Sequence, residues 1–254
     1  MSVTCYESWL KTLSLQADWR LFDFDSRSAC LATPTTTTAY DRVGTNHGTH
    51  QNGVVLTAAG PLTGRPNFAA TFNGVDQYVT MGNVLNQTTN DFSIVAWAKP
   101  SSGYLLSKKA STSNAHAGFS LTLSTSVGGN LNFSLSDGSN VSAFSKVFIG
   151  TEDNTQWHFI VVTRGSGQLY GYLDGASLGS PVADATGSLT NTTSLYLARL
   201  ATTYADGSLA RVSLVTGALT PAQVAEGYRL ARAAPQRGRM MTAGARRMAL
   251  LHGE

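Results

Sequence analysis

Between residues 118 and 136 the chain alternates apolar and polar positions with a period of two. Phe119, Leu121 and Leu123 stand among Ser120, Thr122 and Ser124, and Leu131, Phe133 and Leu135 among Asn132, Ser134 and Ser136. Successive side chains of a strand point to opposite faces, so this pattern puts the apolar set on one face and hydroxyls and amides on the other. Gly128-Gly129-Asn130 between the two runs predicts a hairpin. The same period, with turn residues as punctuation, holds from about residue 54 to 216. Trp157–Arg164 is a nearly continuous apolar run, as expected of a central strand. Gln168–Asp174 follows across Gly165-Ser166-Gly167, and Asp174-Gly175 turns the chain again. Ser194–Leu200 and Leu209–Val215 supply two more strands, and Trp19-Arg20-Leu21-Phe22 another. Many short strands with no helix between them predict an all-β fold, a two-sheet antiparallel β-sandwich of jelly-roll type.

The helical period surfaces at the two ends. Residues 1–18 read as a short amphipathic segment with Trp9, Leu10, Leu13 and Leu15 as apolar members, followed by a Thr-rich tract from Thr33 to Thr38. Thr220-Pro221-Ala222-Gln223 combines a Thr N-cap, a Pro at the first helical position and a Gln three residues after the cap, which predicts a helix. Val224, Tyr228 and Ala231 share one face of it, and Pro235 ends it. The expected organisation is an N-terminal arm over residues 1–18, a sandwich over 19–219, and a C-terminal helix with a basic arm over 220–254.

Charge changes the picture mainly at the C-terminus. Charged residues are 13% of the chain, about half the usual share, while Thr, Ser, Asn and Gly are plentiful. Six arginines (Arg229, Arg232, Arg237, Arg239, Arg246 and Arg247) fall in residues 229–254 against Glu254 alone, leaving 12 basic and 14 acidic side chains elsewhere. The tail also interleaves Met240, Met241, Met248, Leu250 and Leu251, a mixture that suits burial against protein and disfavours a nucleic-acid contact. The opening residues have no basic stretch followed by an apolar run, so no signal peptide is expected. Nor does any run approach the ~18 apolar residues of a membrane span. Cys5 and Cys30 could pair, but reduced and buried thiols are the simpler expectation.

Five segments, in order, carry a resemblance. Asp41-Arg42-Val43-Gly44-Thr45-Asn46-His47-Gly48-Thr49 is similar to an early D-x-x-G-x-N-x-G-T loop, and Phe72-Asn73-Gly74-Val75-Asp76-Gln77-Tyr78-Val79 to an F-[ND]-G-x-D-x-Y-V strand entry. Phe92-Ser93-Ile94-Val95-Ala96-Trp97 resembles F-T-I-x-x-W, and Trp157-His158 with Leu169-Tyr170 and Asp174-Gly175 resembles W-H…L-Y…D-G. Asp206-Gly207-Ser208-Leu209 leading to Ala218-Leu219-Thr220 resembles the closing strand and helix entry. Together they resemble the laminin-G-like, concanavalin-A-like jelly-roll family over residues 40 to 230. The resemblance implies the sandwich fold. Family members that bind calcium place acidic residues in the closing strand, where this chain has Ala210 and Arg211. Asp25 and Asp41 remain as candidate ligands, but an arginine beside the site would repel a cation, so calcium is disfavoured and no cofactor or metal site is expected.

Catalytic members of this architecture carry paired carboxylates, often as E-x-D-x-x-E on one strand, and that triplet is missing here. Glu152-Asp153 sits in an expected turn, and His47 and His50 in a loop without a third ligand. No catalytic residue is assigned and no enzymatic activity is expected. Trp97 and Trp157 are expected in the core; Tyr170 and Tyr172 share a strand face and are the candidate glycan-binding residues. The resemblance implies two functions. One is a structural accessory protein of a bacteriophage virion (capsid decoration, fibre or tail component), made in the host cytoplasm. Its sandwich would face outward, and Arg237, Arg239, Arg246, Arg247, Leu250 and Leu251 would form an arm docking on other virion proteins or on copies of this chain in a homo-oligomer. The other is a lectin-like module recognising cell-surface glycans.

Overall fold

The computed structural model describes residues 5–21, 37–61, 68–124, 130–147 and 156–233. Helix α1 (Cys5–Leu10) is followed by β1 (Leu15–Arg20), β2 (Thr38–Ala39), β3 (Gly48–Gln51), β4 (Val55–Ala59), β5 (Phe68–Asn73) and β6 (Tyr78–Thr80). Then come β7 (Phe92–Ser102), β8 (Tyr104–Lys108), β9 (Gly118–Ser124), β10 (Asn130–Ser136), β11 (Val141–Val147), β12 (His158–Gly165) and β13 (Gln168–Leu173). The chain closes with β14 (Ala176–Ser177), β15 (Val182–Ala183), β16 (Tyr196–Leu197), β17 (Arg199–Leu200), β18 (Thr203–Tyr204), β19 (Asp206–Thr216) and helix α2 (Pro221–Arg232). No helix among the described residues is long and apolar enough to cross a membrane.

The strands form two large antiparallel sheets, as the alternation predicts. The first runs β14-β13-β12-β7-β19-β5-β4, with β1 on β19 and β15 on β13; the second runs β11-β10-β9-β8-β16-β6-β3-β2. Between them lies one apolar core. Phe92, Ile94, Ala96 and Ala98 from β7, and Ile160 and Val162 from β12, meet Leu121, Leu131, Phe133 and Leu197 from the second sheet. The predicted hairpin is present as β9 and β10, with Phe133 opposite Leu121.

The first sheet is buried on its other face as well. Val95 and Trp97 of β7, Phe159 and Val161 of β12, and Tyr172 of β13 point away from the main core into a second cluster with Tyr6, Trp9 and Leu10 of α1 and Val224 of α2. Tyr6 stands edge-on to Trp97 and Phe159, while Tyr228 of α2 lies parallel to both. That double burial is why residues 157–164 read as a continuous apolar run. Gly227 admits the Trp9 ring, since a Cβ there would come within 2.6 Å of it. At the start of α2 the capping box is present as expected: Thr220 accepts from the Gln223 N–H, and the Gln223 side chain accepts from the Thr220 N–H. The expected boundary between residues 18 and 19 falls inside β1, which is hydrogen-bonded to β19 as part of the first sheet.

Under α1 the arginine of the closing strand finds its partner. The Asp18 carboxylate takes two hydrogen bonds from the Arg211 guanidinium, one of 2.7 Å from Nε, and another of 2.7 Å from the Ser213 hydroxyl. Arg211 therefore neutralises a buried acid. Asp41, the one candidate calcium ligand among the described residues, is occupied too. Its Oδ1 accepts the N–H groups of Asp18 (3.1 Å) and Val43 (3.0 Å), and its Oδ2 accepts both the N–H and the side-chain amide of Asn46 (each 3.2 Å). The D-x-x-G-x-N segment is thus a loop wound around one carboxylate. His47 joins it by accepting the Asp41 N–H at Nδ1 (3.0 Å).

Candidate functional site

The covering of the first sheet decides where a ligand can reach. Tyr170 and Tyr172 share a face as expected, but it is the face under the helices. Tyr172 is 2% exposed, and burial raises the pKa of its phenol; Tyr170 packs half-buried beside the same cluster. A buried ring offers no surface for a sugar, so the expected platform is corrected to a core position for Tyr172. Trp97, as expected, is in the core at 1% exposure, while Trp157 is half-buried and its indole donates to the Ala59 carbonyl (3.1 Å). The proposed arm residues Arg237, Arg239, Arg246, Arg247, Leu250 and Leu251, along with Asp25, Cys30, Glu152 and Asp153, lie outside the described residues.

The second sheet keeps one face open. Val79 and Leu197 point into the main core, so their neighbours Tyr78, Thr80 and Tyr196 point outward. Cross-strand pairing joins Thr38, Thr49, Thr80, Tyr196, Ser107, Ser120, Ser134 and Ala143 into one outward-pointing row across the sheet, in which Ser107 and Ser120 are buried and the others are at least partly exposed. A second row holds Tyr104, Thr122, Asn132 and Ser145. Both rows are uncharged and rich in hydroxyl and amide groups.

Where β6 and β16 meet, three half-exposed tyrosines gather around one arginine. The rings of Tyr78 and Tyr196 are 5.9 Å apart and near perpendicular, and Tyr204 lies 6.0 Å from Tyr78. The Arg199 guanidinium carbon is 4.4 Å from the Tyr78 centroid, 4.9 Å from that of Tyr196 and 5.5 Å from that of Tyr204. Its Nε donates to the Ala201 carbonyl (2.7 Å), and its own carbonyl accepts the Ser107 hydroxyl (2.6 Å). None of the three phenol hydroxyls is hydrogen-bonded to a described residue.

The segment resembling F-N-G-x-D-x-Y-V builds the support for Tyr78. The Asn73 side-chain oxygen accepts the N–H groups of Val75, Asp76 and Gln77, and its amide donates to Asp76 (2.9 Å). Gly74 sits at φ +71°, and its N–H donates to the Ala205 carbonyl (3.0 Å), which ties this loop to the residue after Tyr204. The motif's polar residues hold the backbone that delivers the ring. A sequence signal for the cluster does exist, because Tyr78-Val79 and Tyr196-Leu197 alternate in the same sense. The strand register that makes them neighbours is a tertiary fact.

The carboxylates seen here serve the frame. Arg20 pairs with Glu7, Arg164 with Asp184 (2.6 Å), Arg229 with Glu226 (2.6 Å), and His158 with Asp174 (2.8 Å). Burial alone would raise the Asp184 carboxyl, but hydrogen bonds from Thr186 and Arg164 outweigh it and hold the pKa low. Asp137, in a turn, accepts the N–H groups of Asn140 (2.6 Å), Gly187 (2.8 Å) and Ser139 (2.8 Å), which hold it well below the usual carboxylate range. Among the described residues, no three His, Cys, Asp or Glu side chains converge as a metal site. A groove between α1 and α2 is lined by Trp9, Thr12, Gln223, Glu226 and Leu230.

Two large antiparallel sheets packed over one apolar core are consistent with a jelly-roll sandwich. Residues 73–225 match the concanavalin A-like lectin/glucanases superfamily, of the laminin-G type, and the chain belongs to that family. No curated protein matches the chain. Among solved structures, it is similar to the ligand-binding domain of botulinum neurotoxin serotype D in complex with N-acetylneuraminic acid (TM-score 0.63, 11% identity, covering 87% of this chain and 52% of that one). It is also similar to the binding domain of Paraclostridial Mosquitocidal Protein 1 (TM-score 0.60, 14% identity, 86% and 52%). A third is domain 4 of AbnA, a GH43 extracellular arabinanase from Geobacillus stearothermophilus, in complex with arabinotriose (TM-score 0.56, 16% identity, 87% and 99%). The chain spans about half the length of the toxin binding domains and nearly the whole of the arabinanase domain. At these identities the likeness establishes the fold.

Proposed function

We propose that this chain is a non-catalytic carbohydrate-binding module whose ligand lies on the open face of the second sheet, around Tyr78, Tyr196 and Tyr204. The observation that carries the reading is the asymmetry of the sandwich. One outer face is filled by α1 and α2, and the other presents three half-exposed aromatic rings with free phenol hydroxyls beside a row of threonines and serines. Aromatic faces with a few convergent polar groups suit a ligand that is apolar on its ring faces and rich in hydroxyls around its rim. The engagement of Glu7, Asp18, Asp41, Asp137, Asp174, Asp184 and Glu226 in pairs and turns supports a binding role over hydrolysis. A glycan array tests the reading. Saccharide binding is expected, weakened about tenfold or more by Tyr196→Ala or Tyr78→Ala and unchanged by Tyr172→Phe. Binding that survives both alanine variants, with their folds intact, places the site elsewhere.

As its setting we propose an accessory position on a bacteriophage virion, as a decoration, fibre or tail component displayed outward. The support is in the sequence: the stretch after α2 mixes Arg237, Arg239, Arg246 and Arg247 with Met240, Met241, Leu250 and Leu251, the composition of an arm that docks on protein. Light scattering on the full chain beside residues 1–234 tests whether the arm joins copies of this chain. A larger assembly for the full chain alone is expected, and equal monomeric masses contradict it.

A further inference from the structure

We infer that the saccharide taken by this face carries a carboxylate, and that Arg199 is the group that reads it. The inference rests on the module reading above and adds the ligand's chemical class. Arg20, Arg164, Arg211 and Arg229 each face a carboxylate of the protein. Arg199 faces none: among the described residues it makes no ion pair, and its one side-chain hydrogen bond uses Nε. Its two terminal nitrogens, with four N–H donors between them, remain for a ligand.

The guanidinium is also held in place. Its carbon lies 4.4 Å and 4.9 Å from the centroids of Tyr78 and Tyr196, its Nε is tied to the Ala201 carbonyl, and its backbone is pinned by Ser107. Such anchoring lowers the entropy lost when a ligand docks. The short hairpin that presents it is costly to form. Ala198 (φ 60°) and Ala201 (φ 51°), on either side of β17, both adopt the left-handed conformation without being glycine, which strains the backbone. Main-chain bonds from Ala198 N–H to Leu105 and from Ala205 N–H to Ala198 hold the hairpin against that strain. Gly103 makes room for it, since a Cβ there would come within 2.6 Å of Ala205. The planar fork of a guanidinium matches a carboxylate with two parallel hydrogen bonds, while tyrosine and threonine hydroxyls suffice for a neutral sugar. A rigid, uncompensated guanidinium at the centre of the aromatic cluster therefore selects an acidic sugar. A uronic acid and a sialic acid share that chemistry.

Calorimetric titration of the full chain separates the alternatives. The probes are trigalacturonate beside its methyl ester, and 3′-sialyllactose beside lactose, at low and high salt. We expect one acid to bind at least about tenfold more tightly than its neutral counterpart, with the preference weakened by salt. Which acid binds identifies the source. Arg199→Gln is expected to abolish the acid-over-neutral preference and Arg199→Lys to keep part of it, with circular dichroism confirming the fold of both. A merely structural arginine would move overall affinity or stability and leave that ratio unchanged. Equal binding of acid and neutral partners, or a preference that survives Arg199→Gln, overturns this inference and leaves the module reading standing. If none of the four probes binds while the array finds a neutral sugar, the inference alone falls; if no saccharide binds at all, both fall.

Discussion

Arg211 and Lys108 are both buried cations, and what faces each of them sets its behaviour. Arg211 meets the Asp18 carboxylate and the phenol ring of Tyr6, and the acid outweighs burial and raises the guanidinium pKa further. Removing one partner would strand the other charge away from water, so Asp18→Ala is expected to cost about 3–5 kcal/mol in urea unfolding. Replacing both, as Asp18→Leu with Arg211→Met, should recover much of that loss. A double variant as unstable as the single one would contradict this account. Lys108, 0% exposed, meets neutral oxygens: Asn83 Oδ1 at 2.8 Å and the Thr193 carbonyl at 2.7 Å. Burial lowers its pKa to about 8 from an ordinary 10.5. Between those values the unfolded chain binds the proton more tightly than the folded one, so Lys108 makes stability rise as pH climbs from about 8 to about 10.5. Comparing the unfolding free energy of the protein and of Lys108→Met across that window isolates the effect. The difference should shift steadily with pH in favour of the unsubstituted chain, and a flat difference would mean the amine titrates normally.

Helices α1 and α2 form the lid of the first sheet, and they differ in how plainly the sequence declared them. The start of the second was readable to the residue, because Thr220, Pro221 and Gln223 occupy the cap, first and third helical positions that local physics prefers; Pro235, read as its end, lies outside the described residues. Thr220→Ala should cost about 1 kcal/mol by leaving the first-turn N–H groups short of an acceptor. The first showed only as a short amphipathic segment with Trp9, Leu10, Leu13 and Leu15, and residues 1–18 read as an arm. Its docking is tertiary: Trp9 fits only because Gly227, more than two hundred residues away, lacks a side chain. Gly227→Leu should push α1 off the sheet, lowering stability by about 1–3 kcal/mol. Hydrogen exchange should rise in α1 and α2 while β7 and β12 stay protected. The strands were legible through their period of two, which placed β9, β10, β13 and β19, and through the continuous apolar run that marked β12. That period says which residues share a face and is silent on whether the face is covered. Tyr170 and Tyr172 were therefore correctly paired, yet the lid removes Tyr172 from solvent.

At the scale of the molecule, the sandwich has three apolar or polar layers of unequal accessibility. The main core separates the sheets, the second cluster seals the first sheet under two helices, and the second sheet turns its hydroxyl rows and its Tyr78–Tyr196–Tyr204 group outward. The fold was largely legible because alternation, turns and ordered motifs all agree on it. The candidate site was not, because Tyr78, Tyr196 and Tyr204 are separated by up to 126 residues and only the register of β6 with β16 and the turn between β17 and β18 bring them together. Two of the five motifs that carried the resemblance proved to be loop-builders around Asp41 and Asn73. Whether the open face of the second sheet is the ligand face is tested most directly by mapping backbone amide shifts in two-dimensional NMR as a saccharide that binds on the array is titrated in. The largest shifts are expected on β6, β16, β17, β18 and the facing residues of β3 and β8. Shifts gathered instead on β13, α1 and α2 would contradict that placement.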